Sequence, residues 1–547
     1  MRSLHRGECA VQRYGSSTSR HRLNRRRVDQ GLEVGQAATV TGPPASPLDT
    51  MPGVSVLITV FAALLLAWVT WTVGCTGIYL FDTSIGLSSG WMLLNGWVPH
   101  RDFSTPLMPL DGILVALSYV LLGVRYTSTV IAAGVLSIAT FLIVQQNMRR
   151  LVGFPIATLA ALSGTMTTLP EFGALFYNYM IAAALLVYGA LALALISREG
   201  APLRIGIGIT LALVLATKLH AGIAFLGLHC GLEVLLSLRG DRDVRHLARH
   251  LLMVVSPVAA VLFAAIVWAG GPTALFGEVL APQIDSSRYA IRGNLLVFMG
   301  MQGRSSSIWP VSPLLMLLLL GQAALMWRKA GTPRLPLLFT AAMLVGIAVV
   351  TLPSADSSNA RSFAFVIPLV AIVQAAPAEH RRIATGLVAA LLAWLLVYAT
   401  GYALRLERKA WDDVAFAVTG PPPATERVAV PFFTGMTVSA EHAAVLRKIE
   451  ALHRAKPGAR ILFGPGMEAL APAFGQLPPR RWPNWFHRGL SYQVDAADGY
   501  RAAFLAARYD YVLLADRRDP ILLPALAGRY RATAHIGGFT TLYQRID

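Results

Sequence analysis

Charge is what this sequence has least of. Asp, Glu, Lys and Arg together make up 14% of its 547 residues, where a water-soluble chain carries roughly a quarter. Apolar residues fill 55%, much of it in long runs, and the mean hydropathy is +0.55. Together these exclude an ordinary soluble protein and leave a polytopic membrane protein. Cysteine is scarce as well. Cys9, Cys75 and Cys230 are too scattered for a disulfide framework and no pair has metal-ligand spacing, so they are expected to be small apolar residues. A complete G-x-G-x-x-G is missing. Only Gly464-x-Gly466 follows a strand-like run, which argues against a dinucleotide site. The net charge of +18 lacks the basic stripe with interleaved aromatics that nucleic acid requires, and no nucleic-acid partner is expected.

The arginines that are present sit in short clusters between apolar runs: Arg149-Arg150, the stretch Arg239 to Arg249, Arg328-Lys329 and Arg381-Arg382. That is the pattern of cytoplasmic loops. Apolar runs near 54–74, 107–123, 127–147, 154–170, 179–197, 204–217, 221–236, 251–269, 309–327, 336–352, 362–376 and 383–403 give eleven to thirteen segments. The expected fold is mainly α, a polytopic helical bundle in the plasma (inner) membrane, with the N-terminus cytoplasmic. Weakly charged loops near 171–178, 271–308 and 353–361 then face outward. Alternation asks 204–236 to cross and return, with Lys218-Leu219-His220 at its apex. One conflict remains: 107–123 and 127–147 lie where a single crossing is required. Either one of them does not cross, or 204–236 is one long tilted helix.

The two ends differ from the middle. Residues 1–50 are basic, polar and without hydrophobic period, so disorder is expected; Met51, directly before the first apolar run, is an alternative start. Residues 51–403 form the membrane domain. Residues 404–547 read as a small extracytoplasmic α/β domain: a helix over Ser439–Lys456, a strand at Arg460–Gly464, a helix over Gly499–Tyr509, a strand at Tyr511–Ala515 and a last edge strand at Phe539–Ile546.

The chemistry concentrates in the loop from Cys75 to Leu110. Asp82 stands about two helical turns past the first span, and Asp102 follows inside His100-Arg101-Asp102-Phe103. Thr83 to Gly96 reads as an amphipathic helix in the interface, with Trp91 and Trp97 suited to that depth. Asp82, Gly96, Pro99, Arg101, Asp102, Phe103, Pro106 and Pro109 make this loop resemble the GT-C class of integral-membrane glycosyltransferases. It is similar above all to the protein O-mannosyltransferase and aminoarabinose-transferase group. The layout of about a dozen spans and a soluble tail resembles them too. One departure is Thr83, where the mannosyltransferases often carry a second acidic residue.

The resemblance implies transfer of a hexosyl or pentosyl group from a polyprenyl-phosphate carrier to an acceptor hydroxyl on the external face. The partners would be that carrier, membrane lipid and a glycan, lipid or protein acceptor. Such a reaction needs a carboxylate base, for which Asp82 is the first candidate and Asp102 the second. It also needs cations or donors for the leaving phosphate. Lys218 and His220 interrupt an apolar stretch, where a lysine costs roughly 2.5–3.5 kcal/mol; the alternative is a lysine snorkelling to the interface. His100 and Arg101 offer cations beside Asp102. Arg361 with Asn359 is a second cationic pair, and Arg288 and Arg292 a third. Glu171 and Asn178 flank a loop that lines the cavity in relatives, where Tyr177 or Tyr179 could stack on a sugar. The aromatic stretch around His487 suits either sugar recognition or packing. No metal constellation is visible, and no cofactor is expected, although a divalent ion between Asp82 and Asp102 is conceivable. The rival reading is a transporter or flippase of a lipid-linked sugar, which would show internal repeats; the halves show no self-similarity.

Overall fold

The computed structural model describes residues 51–78, 83–168, 173–238, 243–279, 361–406, 426–486, 491, 496–515, 519, 521–536, 538 and 540–546, all within one compact unit. The predicted runs 309–327 and 336–352, the N-terminal segment, Asp82, Glu171, Arg288, Arg292, Asn359 and His487 lie outside them.

Nearly every other apolar run becomes a helix. α1 is Pro52–Gly74, α2 Thr83–Leu94, α3 Leu110–Leu122, α4 Tyr126–Val152, α5 Phe154–Thr168 and α6 Tyr177–Ser197. α7 is Ala201–Thr217, α8 Leu219–Leu238, α9 Val244–Ala269, α10 Arg361–Ala375 and α11 Arg381–Leu406. Pro52 presets the backbone of the first turn of α1. Arg149 and Arg150 sit in the last turn of α4, where cations favour the helix end. Six of the described helices, α1, α4, α6, α8, α9 and α11, are long and apolar enough to cross a membrane.

α6 is the centre of the bundle, buried along most of its length. α1 instead turns Leu57, Phe61, Leu64 and Trp68 outward and buries Leu66, Val69 and Val73. Polar side chains tie the helices where they meet. The Gln145 amide of α4 donates to Thr158 of α5 at 2.7 Å and to Thr59 of α1 at 3.1 Å. Ser163 of α5 donates to the Leu392 carbonyl of α11 at 2.8 Å. Pro257 inside α9 cannot donate to the Met253 carbonyl. A Cβ on Gly208 of α7 would lie 2.8 Å from that oxygen, so the glycine lets α7 approach the broken turn.

α3 bears on the crossing conflict. Its 13 residues span only about 20 Å, against a hydrocarbon core of roughly 30 Å. It buries Asp111, Gly112, Val115, Ser118 and Tyr119 and exposes Ile113, Leu117, Val120 and Leu121. Its outward face is apolar, and the helix formed within the segment predicted over 107–123 is too short to cross as one straight span. A single long helix over 204–236 is excluded. The backbone leaves helical geometry at Lys218, φ −146° and ψ 105°, and the turn is tight enough that Gly222 packs on the backbone of Leu215.

The expected amphipathic helix over Thr83–Gly96 forms as α2, but it does not lie in the interface with one face wet. Thr83 to Gly90 and Met92 are all buried. The reason is its small side chains. Gly86, Gly90 and, across from them, Gly112 let α2 and α3 meet at backbone distance; a Cβ on Gly86 would come within 2.6 Å of Asp111.

The tail is the predicted small α/β domain. Its strands are β1 Glu426–Arg427, β2 Thr437–Val438, β3 Ile461–Phe463, β4 Tyr511–Leu514, β5 Tyr530–Ile536 and β6 Thr540–Arg545. Its helices are α12 Ala440–Ala455, α13 Ala497–Ala507 and α14 Leu522–Leu526. Ser439 caps α12, accepting from the His442 N–H. The main sheet runs β3-β4-β6-β5, with β3 and β4 parallel and the other pairs antiparallel. The strand expected at the edge, β6, is therefore interior. β5 takes the edge, and its largely exposed face gave no alternation to read.

Candidate functional site

The first loop is held from two sides. At its start, Gly77 N–H donates to the Thr437 carbonyl at 2.7 Å and Thr437 N–H to the Cys75 carbonyl at 2.9 Å, so the loop extends the tail's small sheet. Further on, Ser104 N–H donates to the Trp482 carbonyl (3.1 Å) and Asn484 N–H returns to Ser104 (2.9 Å). Asn484 Nδ2 also donates to Ser89 Oγ of α2 at 2.7 Å, and Trp91 Nε1 to the Gln476 carbonyl at 2.8 Å. Trp482, Trp485 and Phe486 are buried. Of the two readings of this aromatic stretch, packing is what its described residues do.

Asp102 is the fastening point. Its Oδ2 accepts from Val98 N–H (2.9 Å) and from Arg101 Nη2 (2.8 Å), and its Oδ1 accepts from Arg480 Nη1 at 3.2 Å. The Arg101 hydrogen bond, helped by the Val98 N–H and by both guanidinium charges, holds the carboxyl below the usual carboxylate range. A carboxylate so well supplied with donors is a weak proton acceptor. His100, at φ +65°, turns away from Asp102; its Nδ1 lies 3.2 Å from Glu278 Oε2. Arg101 therefore partners Asp102 as expected, and His100 does not.

The other end of the loop reaches the α7–α8 turn. Met108 N–H donates to the Thr217 carbonyl at 3.3 Å, which sets Lys218 beside the start of α3. Lys218 is buried, and its Nζ stands 5.5 Å above the Tyr177 ring. His220 sits partly buried in the first turn of α8. Next to Tyr177, the Asn178 amide is buried and has no hydrogen-bond partner among the described residues. Tyr179 instead turns into the bundle, where its hydroxyl meets Ser137 at 2.7 Å. Gly173, at φ +58°, packs against the backbone of Gly74. The end of α1 and the loop before α6 are thus pressed together. Arg361 begins α10.

Sequence reasoning missed Asp111. It lines a small cleft with Ile85, Ser89, Thr105 and Met108. Neither of its oxygens has a hydrogen-bond partner among the described residues. Burial pushes its carboxyl up to about 7. An aspartate opening an otherwise apolar run was the available signal. Arg480 and Glu278 were missed because only the folded chain brings them to the loop.

Comparison with protein-family models and with curated protein sequences gives no match. Solved structures do match. ArnT from Cupriavidus metallidurans bound to undecaprenyl phosphate superposes with a TM-score of 0.51 at 14% identity, over 89% of this chain and 97% of that one. The Archaeoglobus fulgidus oligosaccharyltransferase in its apo form gives 0.48 at 12% identity, over 84% of this chain and 69% of that one. By its apolar helices and its likeness to ArnT, this chain is a multi-pass membrane protein with the GT-C fold.

Proposed function

We propose that the protein is a glycosyltransferase that takes a hexosyl or pentosyl group from a polyprenyl-phosphate carrier. It passes the sugar to a hydroxyl of a glycan, lipid or protein at the external face of the plasma (inner) membrane. The observation that carries this reading is the seating of the first loop, with the tail domain on one side and the buried Lys218 turn on the other. ArnT, of the same fold, has been seen with undecaprenyl phosphate, which supports a carrier of that chemistry. The N-terminus lies in the cytoplasm and the tail outside, so the loop, the Lys218 turn and the tail share the external side.

In the proposed reaction the acceptor oxygen attacks the anomeric carbon as the bond from that carbon to the phosphate oxygen breaks. The acceptor proton passes to Asp82, the base at the membrane surface. Polyprenyl phosphate leaves with its electron pair, and Lys218 stabilises the charge it gathers; His220, Asn178 and Arg361 are the supporting donors. Asp102 and Arg101 hold the loop rather than take the proton, and His100 anchors it to Glu278. Glu171 is a further substrate-binding candidate.

Purified protein incubated with sugar-loaded carrier, with mass spectrometry for free polyprenyl phosphate, tests the reading. A transferase given acceptor releases the carrier. Intact carrier throughout, with sugar lipid moved between leaflets, identifies a transporter and ends the proposal.

A further inference from the structure

Three side chains that the proposed reaction does not use converge inside the bundle. His229 and Glu233 stand one turn apart on α8, hence on one face, and His250 meets them from the first half of α9. All three are buried, His250 completely. The Nε2 atoms of His229 and His250 are 2.9 Å apart, and Glu233 Oε1 lies 4.0 Å from His250 Nε2. One ligand-type atom from each falls within 4.8 Å of the others. We propose that this triad binds a divalent transition-metal ion, zinc by its chemistry, which ties α8 to α9.

Two imidazoles and a carboxylate form a borderline donor set that suits zinc. Bonds of about 2.0–2.1 Å in a tetrahedron place the ligand atoms roughly 3.3 Å apart. The observed 2.9 and 4.0 Å bracket that value, and the third pair lies within 4.8 Å. The fourth position would fall to water.

The surroundings favour the same assignment. The Tyr188 hydroxyl of α6 lies 3.0 Å from His229 Nδ1. With His229 Nδ1–H donating to that hydroxyl, the Nε2 lone pair faces the centre, the outer-sphere arrangement usual for a metal-binding histidine. Glu233 brings a buried carboxylate to the same point, supplying the negative charge that a dication favours. Spacing along the chain hid the site, because His250 lies on a different helix from the His-x-x-x-Glu of α8.

The test uses the full-length protein in lipid nanodiscs. Metal analysis after gel filtration is expected to find one zinc per chain. After chelation, added zinc should raise the midpoint of thermal unfolding, and cobalt(II) should give the visible absorption of a tetrahedral site. Glu233→Gln keeps the shape of the side chain; it and His250→Asn should each weaken zinc binding at least tenfold and abolish the cobalt signal. In metal-free buffer, Glu233→Gln should unfold no lower than the parent. Zinc bound equally by parent and variants would place the ion elsewhere and overturn the proposal. So would a parent protein that neither binds zinc nor shifts its midpoint, leaving a metal-free hydrogen-bonded cluster.

Discussion

Arg480 of the tail domain donates to Asp102 of the first loop at 3.2 Å, across 378 positions of sequence. The main chain repeats the link, with Arg481 N–H donating to the Asp102 carbonyl at 2.6 Å. Asp102 is thus where the tail grips the loop, and the grip should be measurable. Asp102→Ala loses the bonds to Val98, Arg101 and Arg480, and is expected to cost about 1–3 kcal/mol of stability. Because both guanidinium groups are largely exposed, the Coulombic part is small and salt-screened.

The pH dependence of that grip has a definite sign. The folded carboxyl titrates below its unfolded value, so its contribution is complete above about pH 4 and fades as pH falls through the lower folded value. Limited proteolysis of the tail should accelerate in strongly acidic buffer for the parent. For Asp102→Asn that acid-dependent component should be absent. An identical acid response in the two proteins would deny Asp102 this role.

Asp111 behaves in the opposite sense. Its folded pKa of about 7 lies above the unfolded value, so the folded protein loses stability as pH rises from about 4 to 7. The full cost is on the order of 4 kcal/mol above that range. Asp111→Asn should flatten this slope and raise the unfolding midpoint at pH 8 relative to the parent. The check is thermal unfolding in detergent from pH 5 to 8.

Gly173 should resist substitution for two independent reasons. Its φ is +58°, and a Cβ there would strike the backbone of Gly74. Gly173→Ala is expected to destabilise by roughly 1–3 kcal/mol and to separate the end of α1 from the loop before α6. Lower yield of folded protein in fluorescence-detected gel filtration would report it, whereas Gly227→Ala, with open space around its Cβ position, should be tolerated.

Lys218 carries the phosphate side of the proposal. Lys218→Met keeps the length of the chain and removes the charge. Transfer should fall about 100-fold or more, with weaker retention of polyprenyl phosphate by the purified protein and an unchanged gel-filtration profile. Donor binding and turnover equal to the parent would leave Lys218 as a packing residue over Tyr177.

Much of the architecture was legible because lipid imposes a simple rule: apolar runs become helices. Lys218 was readable for the same reason, as a charge where charge is costly. What escaped depended on which faces meet. Nothing local says that Gly86, Gly90 and Gly112 bury α2 on both sides, or that a run from 107 to 123 yields only the thirteen helical residues Leu110–Leu122. Arg480 could not be assigned to Asp102, nor His250 to His229, from spacing along the chain. β5 was missed because most of it faces outward, so it shows no period.

The central claim is that the first loop presents the base. Its most direct test is transfer from a polyprenyl-phosphate sugar by Asp82→Asn, measured beside the parent at equal membrane abundance. Transfer is predicted to be abolished while the protein still accumulates and the tail remains docked. Near-normal transfer by that variant would contradict the account.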